Sequence, residues 1–460
     1  MTERHAEASL SRRDLLKIAG AALVLPQGAA LAAPPPLLTP THAGAKSMIG
    51  VPFEAKDTVR VAIVGTGLRG SSVLREFLAI DNVRITALCD IVPDKVTRAA
   101  KRVTDAGQPA PAMFTAGDHD FENLVQREDI DFVYTATPWP WHTPVALAAM
   151  KAGKHVGTEV PVAMSLDQCW ELVDTSEKTR RHCLMMENCC YDFNEMLVNT
   201  MIKQGLFGEI LYAEAAYIHD LRALLFEDKD EGLWRRIPHT NRQGNFYPTH
   251  GLGPVAWYLD IHKGDRFDYL VSMSTLERGL SLWREANIPK DSPKWQEKYI
   301  EGDINTSFLK TVKGKTVLLT HAVTTPTPYD RLNSVRGTKG VFKDYPARFY
   351  IEGQRDANGK LYGESFRTVD ELKAQYTHPL WQRIGEIAKA KGGHGGMDYI
   401  MAYRLIECIR QGLPPDFDVY DATAWSAPWP LSETSVTRGS IPVKFPDFTR
   451  GGWQNTRKGV

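Results

Sequence analysis

Three glycines that follow an apolar run have the spacing of a turn that holds a nucleotide diphosphate. Gly65, Gly67 and Gly70 follow residues 59–64 in the pattern G-x-G-x-x-G. In such a turn the first glycine permits a tight bend, the second lets the backbone approach the diphosphate, and the third lets the next helix pack on the strand. The pattern predicts a site for a nicotinamide dinucleotide. The cofactor residues predicted in this turn are Gly65, Gly67, Leu68, Arg69 and Gly70.

An acid at the end of the next apolar run strengthens this prediction. Asp90 ends the run 85–90, twenty residues after Gly70. A Rossmann unit places at that distance the carboxylate that holds the adenosine ribose. No arginine adjoins Asp90, which favours NAD over NADP because an acid repels a 2′-phosphate. The alternative is that Asp90 only forms a solvated turn at the end of a strand.

Later strand ends supply the other predicted contacts to the cofactor. Residues 130–137 and 154–157 have the pattern of further strands, and another strand ends near residue 188. Loops at the carboxyl ends of parallel strands bind the ligand in sheets of this kind. For the tryptophan-rich loop at 138–142, packing as a lid is the alternative. The cofactor residues predicted in this loop are Trp139, Pro140, Trp141 and His142.

The elements that must position these residues divide the chain into two α/β domains. Alternating strands and helices over 58–187 predict a parallel Rossmann sheet with helices on both faces. Residues 188–425 form the second predicted domain, in which 313–315 closes a hairpin. We expect helices to begin at Thr143 and Pro254, and residues 426–460 to pack back on the domains as a C-terminal tail.

The first residues are predicted to be an export signal. Arg12 and Arg13 precede an apolar run at 18–25 and a small-residue cleavage site at 30–32, which is typical of a Tat signal. A Sec signal with two chance arginines is the alternative, and the run is too short for a membrane span. We therefore expect a signal at 1–32, a linker at 33–57, the Tat machinery as a partner, and export to the periplasm. Tat carries folded proteins, so a bound cofactor would travel with the chain.

The composition excludes several classes of partner. Lys plus Arg and Asp plus Glu both number 55 in a chain of 460 residues, so no net charge favours nucleic acid or an anionic membrane. Six cysteines in so long a chain do not predict a disulfide framework. No group of His, Cys, Asp and Glu shows the spacing of metal ligands, so no metal site is predicted.

The first half of the chain resembles the family of glucose-fructose oxidoreductase and inositol dehydrogenase. The resemblance is carried by the glycine turn, the loop 137–142, the turn Glu159-Val160-Pro161 and the later Glu187-Asn188. It implies an N-terminal Rossmann domain and a C-terminal α/β domain with an open, mainly antiparallel sheet that carries the sugar site. That family commonly has lysine where this chain has Val160. Because valine cannot donate a proton, simple alcohol oxidation by the usual lysine is in doubt.

A narrower resemblance, to glycoside hydrolase family 109, covers about 58–450. It is carried by the blocks 187–191, 216–222, 234–236, 244–254 and 328–331. The family implies an NAD-dependent α-N-acetylgalactosaminidase. In this resemblance His250 takes the proton of the C3 hydroxyl, Tyr247 orients or deprotonates the same region, and Tyr191 is the base at C2 or the acid at the leaving oxygen. The substrate-binding residues that it implies are Tyr217, Arg236, Tyr247, Pro248, Thr249, His250 and Tyr329. It also implies that Glu159, Val160 and Asn188 lie at the cofactor.

Each of these residues also has a structural alternative. Tyr191 and Tyr217 have the pattern of core residues at strand ends, Arg236 that of a surface ion pair, and His250 that of a helix cap. His394, between two glycine pairs, either lines the site or belongs to a flexible loop.

The leading hypothesis is an exported glycosidase that removes terminal α-linked N-acetylgalactosamine from glycans. Oxidation at C3, elimination, addition of water and re-reduction would leave NAD unchanged, and this suits a compartment without a nicotinamide pool. The alternatives are an exported sugar oxidoreductase with tightly bound NAD or NADP, and a sugar-binding protein without turnover. A homo-oligomer is an open alternative to a monomer.

Overall fold

The computed structural model describes residues 46–355, 358–361 and 363–454, so the predicted signal at 1–32 and the first part of the predicted linker lie outside the described residues. The strands are β1 Val59–Val64, β2 Val83–Cys89, β3 Ala112–Phe114, β4 Phe132–Thr135, β5 His155–Thr158, β6 Cys183–Met185, β7 Ile210–Ile218, β8 Phe267–Ser274, β9 Asn305–Thr311, β10 Thr316–Ala322, β11 Ser334–Gly337, β12 Gly340–Lys343, β13 Arg348–Ile351, β14 Arg367–Thr368 and β15 Val443–Lys444. The helices are α1 Leu68–Leu78, α2 Pro93–Asp105, α3 Phe121–Leu124, α4 Trp139–Lys151, α5 Leu166–Thr179, α6 Phe193–Lys203, α7 Arg222–Leu225, α8 Ile237–Asn241, α9 Thr249–Tyr258, α10 Gly279–Asn287, α11 Asp370–Tyr376, α12 Pro379–Lys391, α13 Met397–Gln411, α14 Val419–Ser426 and α15 Pro428–Thr437. Short 3₁₀ turns lie at Asn188–Tyr191, Asp230–Leu233, Pro293–Gln296, His394–Gly396 and Gly452–Gln454.

The first sheet has the strand order of a Rossmann fold. Within the described residues it contains six parallel strands in the order β3-β2-β1-β4-β5-β6. The central strand β1 is almost wholly buried, as expected for a parallel sheet that helices cover on both faces. The strand order reverses between β1 and β4, and ligands bind at this switch point in sheets of this kind.

The second sheet is open and mainly antiparallel. In the described part of the chain its order is β14-β13-β12-β11-β7-β10-β9-β8-β15, and β7 and β10 form a parallel pair. The hairpin expected at 313–315 joins β9 and β10. The predicted fold class, a Rossmann domain followed by an α/β domain with an open, mainly antiparallel sheet, is confirmed.

Two predicted helix starts are wrong because prolines are accepted further inside these helices than we expected. Helix α4 begins at Trp139, and Thr143 lies within it, buried, with its hydroxyl donating to the carbonyl oxygen of Val162 at 3.0 Å. Pro140 lies in the first turn of α4, where a missing N–H has no intrahelical partner, whereas Pro144 lies further inside this helix. Helix α9 begins at Thr249 and contains Pro254 in its interior.

Both ends of the described chain pack on the domains. Met48 and Phe53, in the segment predicted as a linker, are buried: the amide of Met48 donates to the Tyr420 hydroxyl at 3.0 Å, and Phe53 packs on His182. At the other end β15 pairs with β8, and the ring of Phe448 contacts that of Trp170 in α5, with centroids 4.9 Å apart. The end of the predicted linker is therefore part of the packed structure. The domain boundaries stay a prediction.

Candidate active site

One cavity of about 730 Å³ opens at the carboxyl ends of β1 and β4. It brings residues predicted for the cofactor together with residues predicted for the sugar, although the two groups come from different domains. The predicted residues that line it are Gly65, Gly67, Leu68, Arg69, Asp90, Trp139, Trp141, His142, Glu159, Val160, Asn188, Tyr217, Tyr247, His250 and Tyr329.

The glycine turn has the close approaches that the sequence pattern predicts. Gly65 has a φ of +87°, and a Cβ on it would lie 2.7 Å from the carbonyl oxygen of Ala136. A Cβ on Gly70 would lie 1.8 Å from the carbonyl oxygen of Gly65, so α1 packs on the turn only because Gly70 lacks a side chain. Gly67 precedes the first residue of α1 and has no such neighbour on the cavity side. Gly70 itself does not line the cavity described above.

The N-terminus of α1 has the free backbone amides that bind an anion. Among the described residues no side chain caps this helix, so the amides of its first turn are available to a ligand. The Oδ2 atom of Asp90 accepts a hydrogen bond from the amide of Thr66 at 2.7 Å, which fixes the acid beside the glycine turn. Both the diphosphate and the ribose of a dinucleotide therefore have matching groups.

The tryptophan-rich loop contributes unequally to the cavity. Trp139 is buried and lines it, and Trp141 also packs on Phe121 in the first domain. Both ring nitrogens of His142 contact backbone carbonyls, those of Pro161 at 2.7 Å and Thr137 at 2.8 Å, so His142 ties two loops together. Burial lowers the pKa of His142. Pro140, also predicted to contact the cofactor, is exposed and does not line the cavity.

A network of buried charges crosses from the first domain to the second. Arg69 in α1 donates through Nε to Glu159 and through Nη1 to Oδ2 of Asp398, both at 2.8 Å. The side-chain amide of Asn188 donates to the other oxygen of Asp398 at 2.6 Å. Burial acts to raise the pKa of Asp398, but His394 and Arg69 outweigh burial and hold it well below its usual value. Asp398 is a site residue that the sequence analysis missed, since it lies in α13, far along the chain.

His250 is paired with a buried carboxylate. Its Nδ1 lies 2.7 Å from Oε1 of Glu187, whose side chain is fully buried, while the His250 side chain remains 15% exposed. Burial acts to raise the pKa of Glu187, but His250 and other hydrogen-bond donors hold it below its usual value. The arrangement fixes one ring nitrogen and leaves Nε2 to exchange a proton with a ligand in the cavity. The sequence blocks contain Glu187, but nothing in their spacing showed this contact.

An arginine lies among the aromatic side chains of the sugar end. The Cζ atom of Arg235 lies 4.8 Å from the ring centroid of Tyr247 and 5.3 Å from that of Trp139, and its Nη2 donates to the hydroxyl of Tyr217 at 3.4 Å. The ring centroids of Tyr217 and Tyr247 are 4.6 Å apart, and that of His250 is 5.0 Å from Tyr247. Aromatic faces beside a fixed guanidinium suit a sugar, which has an apolar face and hydroxyl groups.

Arg236, predicted to bind the sugar, points elsewhere. Its guanidinium donates to both oxygens of Glu297 and to the carbonyl oxygen of Leu225. Of the two neighbouring arginines, Arg235 lines the cavity, and Arg236 supports the loop behind it. Two consecutive arginines before α8 carry no sequence signal that tells which one faces the cavity.

Tyr191, predicted to be catalytic, lies outside the cavity. Its hydroxyl donates to Oδ2 of Asp416 at 3.0 Å, and its ring packs on Trp257 and Phe417. It does not line the main cavity, and burial raises the pKa of its hydroxyl well above the usual value. Of the two alternatives given for Tyr191, a catalytic residue or a core residue, its contacts are those of a core residue.

Of the remaining residues predicted to bind the sugar, one lines the cavity and two lie behind its wall. Tyr329 lines the cavity, and its hydroxyl accepts a hydrogen bond from Arg331 at 3.1 Å. Pro248 and Thr249 are buried at the start of α9 and do not line the cavity, so they position His250 rather than contact a ligand there.

Comparisons with known proteins agree with this geometry. A family model described as an oxidoreductase family with an NAD-binding Rossmann fold matches residues 59–187, and one described as the C-terminal domain of glycosyl hydrolase 109 matches residues 191–455. The chain belongs to glycosyl hydrolase family 109. A family 109 protein of Solibacter usitatus is 54% identical over 98% of this chain and 99% of its own, and one of Shewanella baltica is 45% identical over 98% of both.

Solved structures show the same fold at low sequence identity. A levoglucosan dehydrogenase in complex with NADH has a TM-score of 0.65 at 17% identity and covers 85% of this chain and 100% of its own. An inositol dehydrogenase homologue from Azotobacter vinelandii, complexed with NAD⁺, has a TM-score of 0.62 at 18% identity and covers 86% of this chain and 100% of its own. This family 109 chain is an enzyme whose cofactor is NAD.

The residues of this family 109 chain fit NAD. Gly67 and the uncapped start of α1 suit the diphosphate, Asp90 suits the adenosine ribose, and Glu159 and Asn188 lie further along the cavity. At Val160 the chain has a buried apolar side chain in the cavity wall. The prediction of NAD is confirmed.

Three side chains lie close enough together to be considered as metal ligands, and the sequence did not predict this group. Donor atoms of Glu187, Cys189 and His250 lie within 4.8 Å of one another. However, Glu187 already accepts from His250, and burial raises the pKa of the Cys189 thiol well above its usual value, which opposes the thiolate that a metal requires. The predicted absence of a metal stays a prediction. Within the described residues, no helix has the length and apolar character needed to cross a membrane.

Proposed function

We propose that this family 109 enzyme hydrolyses terminal α-linked N-acetylgalactosamine and that its NAD is regenerated within each turnover. The observation that supports this proposal most is the hydrogen-bonded pair His250–Glu187. His250 lines the same cavity as Arg235, which lies over the ring of Tyr247, and as the glycine turn. Bound NAD would supply a hydride acceptor at C3 of the sugar and return the hydride at the end of the cycle. The remaining steps depend on side chains of this chain.

His250 would take the proton of the C3 hydroxyl and later return it. Its Nδ1 is held by Glu187, so Nε2 accepts the proton while the buried carboxylate stabilises the imidazolium that forms. This pair performs the acid–base work that a lysine performs in the related dehydrogenases. Val160 is therefore compatible with chemistry at C3, although it contributes no proton.

Arg235 would stabilise the negative charge that develops when C2 loses its proton. The guanidinium is buried and its position is fixed by an ion pair with Glu231 and by three aromatic rings. A preorganised cation in a water-poor site favours an enolate far more than a solvated one does. With Tyr191 outside the cavity, Tyr217 is our candidate for the C2 base. Burial raises the pKa of its hydroxyl, but Arg235, which donates to that hydroxyl, acts to lower it.

The carboxylates at the sugar end do not resemble the pair of a direct glycosidase. A direct mechanism needs one carboxylic acid and one free carboxylate on either side of the scissile bond. Here Glu231 is paired with Arg235, and Asp192 is paired with Arg331. This engagement favours the NAD-dependent route.

One assay tests the reaction class. Purified protein is given a chromogenic α-N-acetylgalactosaminide without added nicotinamide, and absorbance follows both the aglycone and NADH. We expect aglycone release without steady accumulation of NADH. Accumulation of NADH, or a requirement for a second sugar, would instead identify a sugar oxidoreductase. In heavy water we expect deuterium at C2 of the product, and its absence would refute the elimination step.

We also propose that the chain is exported through the Tat route. Support comes from the twin arginines and the apolar run that follows them in the sequence. Replacing both Arg12 and Arg13 by lysine should leave the enzyme inside a Tat-competent bacterium, whereas the unchanged chain should appear in the periplasm. Equal export of both would contradict the proposal.

A further inference from the structure

We propose that His394, from the second domain, binds the diphosphate of NAD together with the N-terminus of α1. The proposal concerns the cofactor alone and does not depend on the sugar chemistry. Its basis is a glycine-rich loop, residues 392–396, that places this histidine in the wall of the cofactor cavity.

The loop is held against α1 by close contacts. The amide of Gly393 donates to Oε1 of Glu76 in α1 at 3.0 Å, and a Cβ on Gly393 would lie 2.6 Å from an oxygen of Asp398. Gly395 and Gly396 have φ values of +72° and +107°, which side-chain-bearing residues rarely adopt. The glycines therefore allow the backbone to lie against α1 and to place His394 in the cavity that the first residues of α1 also line.

His394 and Arg69 converge on the same carboxylate oxygen. Nδ1 of His394 lies 2.8 Å from Oδ2 of Asp398, and Nη1 of Arg69 donates to that oxygen at the same distance. Arg69 is also engaged by Glu159. With Nδ1 engaged by Asp398, Nε2 of His394 remains to donate to a ligand in the cavity.

The charges around His394 favour its protonated form. The hydrogen bond to Asp398 raises its pKa, burial and Arg69 act in the opposite direction, and Glu159 supports the increase. Glu76 faces the same loop through Gly393. A cationic imidazole in the same cavity as the uncapped start of α1 suits a doubly charged anion, and in a dinucleotide cavity that anion is the diphosphate.

The first test measures release of labelled NAD from the holoenzyme during a chase with unlabelled NAD. We expect His394→Gln to release NAD about tenfold faster at pH 6, the effect typical of one charge-assisted hydrogen bond. His394→Arg keeps a cation and should restore slow release, and at pH 9 it should retain NAD better than the natural chain. Lys389→Gln is the matched control, because Lys389 lies near the loop but pairs with Glu386 on the surface.

The second test locates the contact on the cofactor. Full-length protein freed of nucleotide is titrated with ADP-ribose and with adenosine, and its melting temperature is recorded. We expect His394→Gln to weaken ADP-ribose about tenfold, to leave adenosine within twofold, and to lose the pH dependence of ADP-ribose binding between pH 6 and 9. Unchanged ADP-ribose affinity, or an equal loss for adenosine, would overturn the proposal.

Discussion

Replacing Glu187 by glutamine should slow catalysis without changing the shape of the site. The amide still accepts from Nδ1 of His250, but it carries no charge to stabilise an imidazolium. A hydrogen bond to a charged group contributes about 1.5–3 kcal/mol and a neutral one about 0.5–1.5 kcal/mol, so the loss is about 1–2 kcal/mol. At about 1.4 kcal/mol for each factor of ten, kcat/KM should fall roughly 5- to 30-fold. Because Glu187 is fully buried, this is a lower bound.

The assay is aglycone release from the chromogenic α-N-acetylgalactosaminide, with Glu177→Gln as the matched control. Glu177 is also a buried carboxylate, but it accepts from Tyr420 and Arg450 on the far side of α5. The control should lose stability and keep its kcat/KM. A rate for Glu187→Gln within twofold of the natural enzyme, or an equal loss in the control, would refute the role assigned to this pair.

Three further predictions distinguish residues that act in the active site from residues that support the fold. Arg235→Lys should lower kcat/KM by about 10- to 100-fold, a loss of about 1.5–3 kcal/mol of transition-state stabilisation. Arg236→Lys should leave kcat/KM near normal and lower the melting temperature by several degrees. The opposite pattern would support Arg236 as the sugar-binding arginine. Tyr191→Phe should keep kcat within about twofold and cost about 1–3 kcal/mol of stability by removing the hydrogen bond to Asp416, and a loss of several orders of magnitude would contradict this. Burial lowers the pKa of His182 from 6.5 to about 4, so the unfolded state binds the proton first, and stability falls as pH falls from 6.5 towards 4 by as much as about 3 kcal/mol. Melting curves at pH 7 and 5 should show a smaller decrease for His182→Gln, and an equal decrease would refute the assignment.

The sequence predicted the parts of the structure that depend on local patterns. The glycine turn, Asp90 and the order of strands follow from residue spacing, because a Rossmann unit allows few other arrangements of such a pattern. The hairpin at 313–315 in the second sheet was also located from its turn residues.

The sequence could not resolve features that depend on the direction of a single side chain. Arg235 and Arg236 are chemically identical neighbours, and only the start of α8 decides which one enters the cavity. Tyr191 lies in a block typical of the family, yet a buried partner at Asp416 turns its hydroxyl away. The carboxylate that joins Arg69 to Asn188 comes from residue 398, and no spacing rule links positions so far apart.

The contact between Arg69 and Asp398 also sets the time at which the nucleotide site is completed during synthesis. Arg69 and Asn188 leave the ribosome long before Asp398, and until then two buried polar groups lack the carboxylate that joins them. Folding of the N-terminal half on the ribosome would therefore give a glycine turn with an unfinished wall. The charge network beside the pocket can therefore form only in a nearly complete polypeptide.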